Sequence, residues 1–596
     1  MLALKAKRSN KTLYLFAAVI VTAIAVIMAE RQGVVDSDYF WHITLGKSIW
    51  QNKAIPTQDT FSWLGPELNL QETAHSWLGS LILYAFSCIS TNPVYGMLAF
   101  IAVTVFAYCL FIEYIWGRQI KDPFMNVLAL ALVTLPLDWT GRPQNIGLTL
   151  FTVGFYLLNK VYEEPDTKLR WLLPVVSVLW ANLHGGALPI LFAFNLLFLV
   201  LCFAPNINAF DIYNEKGDAK KRFRALFQVF LSDILAGLLN PYGIKLYIYF
   251  FVTNNETTKK YVSEWMPSHL ANEVVFLCLA FLFLIVAYRM KVKLTEFAPY
   301  LCCLFMTAMY VRIRSYWVIV MTPLIYRFLT SLISAQENRM WKAGGRPNSS
   351  WAGNTKKYTI AAAAVLVLVS AVYAPSMAND PDKTGDYITA DLVSYIQDLN
   401  PQRLYTSYND GGYCIYHGIK SFADSRADLF PDDVIEASVN YAFMSYSTDT
   451  GMEDCLNQFD FDAILLRRSQ SGPCIEFMNQ LSGWTQGYKD DYFVVFCTFR
   501  NLKISALDRI FRPGAFLYIC LVKSKRLTAF WTRLSSIQID SGFCSRLVLC
   551  NIYKFLFIMG GRFVVLLSCG GVRIADNESM GQNPNIRNIC RKAHQC

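Results

Sequence analysis

Leu13–Ala29, LYLFAAVIVTAIAVIMA, is followed within a few residues by Asp36–Trp63, DSDYFWHITLGKSIWQNKAIPTQDTFSW. The first stretch is apolar for about 17 residues, longer than the core of a secretory signal, and no small-residue cleavage site follows it. Lys5, Lys7, Arg8 and Lys11 precede it. It therefore reads as a retained transmembrane helix whose basic start stays in the cytoplasm. The second stretch then belongs to a long polar loop, residues 30–75, on the outer face.

Composition extends this reading to most of the chain. Of 596 residues, 54% are hydrophobic and only 16% charged, with a mean hydropathy of +0.30. Soluble domains carry about 25% charged residues. Aromatics reach 15%, as expected where Trp and Tyr anchor helices at two membrane interfaces. The net charge of +10 is concentrated after Asn501, where 14 Lys/Arg face 4 Asp/Glu. Basicity is thus a property of the tail, and no nucleic-acid partner is expected.

Further apolar runs lie at 77–91, 94–116, 123–138, 145–161, 170–183, 187–205, 226–251, 273–288, 296–311, 315–334 and 358–375. Several are shorter than the roughly 20 residues that span a bilayer. Basic segments 216–224, 289–293 and 339–357 read as cytoplasmic, which places loops 139–145, 182–186, 254–272 and 312–315 outside. An outer first loop needs an odd number of crossings before an outer C-terminal region. The twelve runs conflict with that, so one boundary within 77–138 is misdrawn. The expected fold is an all-α polytopic membrane domain over 1–375, with about 11–13 transmembrane helices. Residues 376–500 read as a small extracytoplasmic α/β domain, with strand-like runs DAILL and YFVVF separated by the turn signals NDGG and SGP. Cys414, Cys455, Cys474 and Cys497 lie there, and an oxidising compartment would permit disulfides, with the pairing left open. Residues 501–596 form a basic tail without a clear period, expected to be disordered or a non-native reading frame.

The polar chemistry lies in the loops. Asp36 and Asp38 form a DxD just past the first helix; two such carboxylates can face a metal or take a proton from a hydroxyl. The plain alternative is helix capping by the same acids. Arg142 in WTGRPQN is the first candidate for a phosphate, because guanidinium pairs with phosphate through two parallel hydrogen bonds. Arg312 and Arg314 in YVRIRSYW are the second. Snorkelling to lipid headgroups would explain all three equally simply. His184 in NLHGG has glycines that permit close approach. Glu264-Trp265 joins an acid to a flat aromatic, which suits a sugar or a membrane interface. Asn240-Pro241-Tyr242-Gly243 reads as a helix-breaking turn, and Asp424, Arg426 and Asp428 as an internal salt-bridged turn.

Taken in order, DSDYFWHITLGKSI, IPTQDTFSW, HSWLGSLILY, GRPQN, LWANLHGG, LNPYG, SEWMP, NDGGY and FADSRADLF resemble the GT-C membrane glycosyltransferases, from Asp36 to about Phe496. The resemblance implies a multi-pass inner- or plasma-membrane enzyme with its active site facing outside. It would move a sugar from a polyprenyl-phosphate donor to a lipid, glycan or protein acceptor. It further implies that Asp36 or Asp38 binds the acceptor or acts as base, helped in many members by a divalent metal, Mg or Mn. Asp59 is then a candidate second acid. His75 sits where related mannosyltransferases carry His-Pro-Pro, but Ser76-Trp77 replaces the prolines here.

A transporter or flippase of lipid-linked sugars would share the helices, arginines and outer acids. Inverted repeats would mark it, and none is apparent. A non-catalytic envelope assembly protein would leave Asp36, Asp38 and Arg142 dispensable. A ligase or polymerase of oligosaccharides is a neighbouring transferase class. No P-loop, HExxH, paired CxxC or GxGxxG occurs.

Overall fold

The computed structural model describes residues 2–32, 37–120, 122–206, 212–215, 217–252, 260–261, 263–266, 292–342, 361, 363–372, 374–375, 378–440 and 449–498, and strands at 554–556, 563–568 and 571–576. Asp36 and the expected helix over 273–288 lie outside them. Two compact units form, Met1–Asn501 and Leu502–Cys596.

The first unit is mostly helical. Its first helix runs Leu2–Gln32. Two helices among the described residues are long and apolar enough to cross a membrane, Thr12–Glu30 and Pro93–Ile115. Shorter apolar helices include Trp77–Ser87, Pro123–Thr134, Gly185–Leu201, Leu294–Met309 and Ala363–Val372. Helix starts follow local rules. Pro93 and Pro123 occupy first-turn positions, where the missing N–H costs nothing. Asn92 and Asp122 cap them by accepting from Val94 N at 3.0 Å and Met125 N at 2.9 Å. Val103, Tyr114, Phe124, Val200, Leu235, Phe305 and Leu368 stand exposed on helix surfaces. Lys293 bonds Glu163 at 2.5 Å and Glu215 at 2.6 Å, which ties the start of the Leu294–Met309 helix to the end of the Gln144–Glu163 helix.

Two expectations about this unit need correction. The apolar run 226–251 is two helices, Ala219–Gly237 and Lys245–Val252, parted by the Asn240-Pro241-Tyr242-Gly243 turn. Asn240 closes that turn by accepting from Tyr242 N at 2.8 Å, and Gly243 takes a positive φ of 53°. More consequentially, the polar loop 30–75 contains a helix, Ser37–Asn52, with Tyr39, Phe40, Trp41, Ile43, Leu45 and Ile49 buried. The charged and polar residues around these positions masked a helical apolar face. Gly46 lets this helix lie against Ser80 and Tyr84 of the Trp77–Ser87 helix, where a Cβ would strike the Ser80 carbonyl.

Within residues 378–498, four strands form one sheet in the order Leu404–Tyr405, Ala463–Arg467, Phe493–Thr498, Trp484–Lys489. The first pair is parallel and the others antiparallel, with Ala463 opposite Cys497 and Arg467 opposite Phe493. The two central strands are buried on both faces and read as continuous apolar runs for that reason. Trp63 of the first loop sits in this core with Phe422, Phe461 and Phe496, and its indole N–H donates to Leu404 O at 2.9 Å. Cys414, Cys455, Cys474 and Cys497 are buried in this region, as packing residues are. The second unit contains an antiparallel three-stranded sheet, Lys554–Leu556, Phe563–Ser568 and Gly571–Asp576.

Candidate functional site

A cavity of about 1130 Å³ opens between the helices and the loops at one end of the first unit. Asp38, His75, Arg142, His184, Glu264, Trp265 and Arg312 all line it. The loops expected to share one face therefore meet at one place. Phe192, Leu196, Ile234, Phe250 and Met306 contribute apolar lining.

Asp38 stands in the first turn of the Ser37–Asn52 helix, where the helix dipole favours negative charge. Its Oδ1 accepts from Trp41 Nε1 at 3.1 Å and from the Ser425 hydroxyl. Its Oδ2 faces Arg142 Nε at 3.1 Å. Gly412 lets the helix start come this close to residues 411–416, because a Cβ there would strike the Ser37 carbonyl. Arg142 is aimed by its own motif. Asn145 Nδ2 donates to Thr140 O at 2.7 Å, and Asn145 Oδ1 accepts from Thr140 N at 3.3 Å, which ties the GRPQN loop to the start of the Gln144–Glu163 helix.

The guanidinium of Arg142 continues to Glu264, with Nη1 2.6 Å from Oε1. The other oxygen of Glu264 lies 3.7 Å from Arg312 Nη1, and Arg312 rests over the Trp265 ring at 5.2 Å. Burial pushes the Glu264 carboxyl up, but Arg142 and Arg312 outweigh that and hold it below its ordinary value. Asp38, Arg142, Glu264 and Arg312 thus alternate in charge along one wall. His75 stacks on Tyr249 at 4.8 Å and lies 6.3 Å from His184 between ring centroids. Burial lowers both imidazoles and so favours their neutral forms; Arg312 adds to this at His184, while at His75 Asp428 opposes the shift without reversing it. His184 Nδ1 faces Gly147 and has no hydrogen-bond partner among the described residues.

Two expected site residues lie elsewhere. Asp59 does not line the cavity. It is buried, closes its own turn by accepting from Phe61 N at 3.1 Å and Ser62 N at 3.0 Å, and pairs with Arg426 Nη2 at 2.9 Å. Arg314 is likewise absent from the lining; it bonds Asp138 at 2.7 Å and thereby anchors the start of its own helix. In ADSRAD, Asp424 and Arg426 form the internal pair, at 2.7 Å, while Asp428 faces the cavity.

Glu72 was not singled out by the sequence. It lines the cavity and pairs with Arg426 Nη1 at 2.5 Å. Burial pushes its carboxyl up to about 7, against the pull of Arg426 and with Asp428, Asp59 and Asp424 adding to the rise. One guanidinium among so many acids leaves a surplus of negative charge, and a proton on Glu72 relieves it. Its only local sign is an acid in QETAHSW, immediately before an apolar helix.

Asp36, the other carboxylate of the candidate metal pair, lies outside the described residues. The Asp38 carboxylate is engaged by Arg142, Trp41 and Ser425, and Glu264 by two arginines. Among the described residues no three His, Cys, Asp or Glu side chains converge as ligands.

No family profile matches the chain, and no curated protein sequence matches it. Solved structures do. The Archaeoglobus fulgidus oligosaccharyltransferase tethered to an acceptor peptide containing the NVT sequon is 11% identical, with a TM-score of 0.47 over 82% of this chain and 74% of that one. The structure of the archaeal oligosaccharyltransferase from that organism with an inhibitory peptide and a dolichol-phosphate is 12% identical, TM-score 0.48, over 77% and 70%. The structure of the Archaeoglobus fulgidus enzyme with Zn and sulfate is 11% identical, TM-score 0.40, over 78% and 70%. All three of these neighbours are oligosaccharyltransferases.

Proposed function

We propose that the chain is a membrane-embedded glycosyltransferase that moves a sugar from a polyprenyl-phosphate donor to an acceptor at the outer face of the membrane. The observation that carries the reading is one cavity lined both by Asp38, Arg142 and Arg312 and by the apolar Phe192, Leu196, Ile234, Phe250 and Met306. A prenyl chain, a phosphate and a proton-accepting carboxylate need those three surroundings side by side. The apolar side chains exposed on the helices support embedding in lipid.

In this mechanism the donor phosphate lies on Arg142 and Arg312, which neutralise its charge as it leaves. The sugar reaches the transition state with oxocarbenium character. The acceptor oxygen forms the new bond to the anomeric carbon while the bond to the phosphate oxygen breaks. The acceptor proton passes to Asp38 Oδ, and the bonding electrons stay on the lipid phosphate. A phosphate is a good leaving group, so the site needs positive charge more than a general acid. Neutral His75 and His184 offer hydrogen bonds to sugar hydroxyls without competing for the phosphate.

Purified protein incubated with a set of polyprenyl-phosphate sugars should hydrolyse one slowly or transfer its sugar. Movement of the intact lipid-linked sugar between leaflets, with no cleavage, would identify a flippase instead.

A further inference from the structure

Glu264 occupies the place that the donor phosphate needs. Its two oxygens are divided between two arginines, one at 2.6 Å from Arg142 and one at 3.7 Å from Arg312. A phosphate presents paired oxygens to guanidinium groups in much the same way as a carboxylate does. We propose that Glu264 is the resident counter-anion of the phosphate site, holding Arg142 and Arg312 in position and leaving them when the donor binds. The proposal rests on the donor reading above.

Charge balance supports the exchange. Asp38 and Glu264 offset Arg142 and Arg312 one for one. A phosphodiester added to that set would leave an unpaired anion in a partly buried wall, whereas a diester replacing Glu264 restores the balance. Exposure fits as well: Glu264 is 32% exposed and Arg312 33%. The acid can therefore turn toward water, which a fully enclosed one could not do cheaply.

The surroundings keep the exchange local. Val311 N donates to Met266 O at 3.1 Å, so the backbone beside Glu264 is tied to the backbone beside Arg312. The Trp265 ring supports the Arg312 guanidinium after the carboxylate has gone. Transfer converts the bound diester into a phosphate monoester with a further negative charge. The returning carboxylate of Glu264 then competes with that product and hastens its release.

The test is binding of farnesyl phosphate, with inorganic phosphate as the headgroup-only probe, to the full chain and to Glu264→Gln and Glu264→Asp. Glu264→Gln should bind farnesyl phosphate roughly fivefold more tightly, the weight of a half-exposed ion pair. Glu264→Asp, a shorter competitor, should fall between the two, and steady-state turnover of Glu264→Gln should be limited by product release. Unchanged or weaker binding in a folded Glu264→Gln chain overturns the proposal and makes Glu264 an ordinary donor or acceptor contact. If none of the three chains binds farnesyl phosphate, the donor reading itself fails. Phosphate bound without any preference for the prenyl ester overturns that reading too, leaving an anion site.

Discussion

Arg142 and Arg426 both gather carboxylates from distant parts of the chain, but they do so in opposite surroundings. Arg426 is 4% exposed and holds Asp59, Glu72 and Asp424, at 0%, 8% and 0%. Arg142 is 21% exposed, and its partners Asp38 and Glu264 are 16% and 32% exposed. Removing one member of the first cluster strands a charge that is almost wholly shielded from bulk water. In the second, a departing partner is replaced by water or by a ligand. The first arrangement joins the early loop to the later sheet region, and the second leaves charges available for exchange. Equal residue types therefore carry different duties, and access to water separates them.

The sharpest way to break this contrast is Arg426→Ala. It should cost about 3–5 kcal/mol of stability by leaving buried carboxylates unpaired, seen as a large drop in melting temperature or failure to accumulate. A mild effect would mean that the cluster is hydrated and the distinction fails. Next in size, Asp38→Asn should lower turnover by roughly a hundredfold or more while the fold survives. Asp36→Asn, assayed beside it, should do less; the reverse ranking would move the base to Asp36. Arg142→Ala should weaken donor binding by roughly tenfold, the loss of a charge-assisted pair. Arg142→Lys should recover only part, since an ammonium cannot form the fork. Full rescue by Lys would show that point charge alone suffices.

The smallest expected effect is one of pH. Glu72 titrates near 7 in the fold and near 4.5 in the free chain. Between those values the folded chain keeps a proton that the unfolded chain has lost, so stability should fall as pH rises through that window. Glu72→Gln should flatten that part of a stability–pH curve. Asp59 contributes with the opposite sign: burial raises it, but Arg426 and the Ser62 and backbone hydrogen bonds prevail and lower it. Its stabilisation is present above its ordinary value and is lost at more acid pH. A Glu72→Gln curve that keeps the full slope would place the titrating group elsewhere.

What could be read beforehand was what short-range chemistry encodes. The Asn240-Pro241-Tyr242-Gly243 break and the Asp424–Arg426 pair follow from residues adjacent in the chain. Asp38 and Arg142 stand out by residue type, a carboxylate able to take a proton and a guanidinium suited to phosphate, and they meet at 3.1 Å. The Ser37–Asn52 helix escaped because its polar residues dominate a linear reading, while its apolar face appears only at helical spacing. The pairing of Asp59 and Glu72 with Arg426 is not legible locally, because Arg426 lies more than 350 positions away. No local pattern encodes such a meeting. The same holds for Arg314, whose partner Asp138 lies 176 residues earlier.

Trp63 has a consequence for the timing of assembly. The backbone oxygen that receives its indole N–H belongs to Leu404, 341 residues later in the chain. At roughly 5–20 residues per second, synthesis takes about 20–70 s to cover that interval. For that time the early loop has its aromatic plug but no core to fill, and the sheet region cannot finish packing until the plug is delivered. Translational pausing between these segments should lengthen the exposure and lower the yield of folded chain, whereas slowing translation after residue 498 should not.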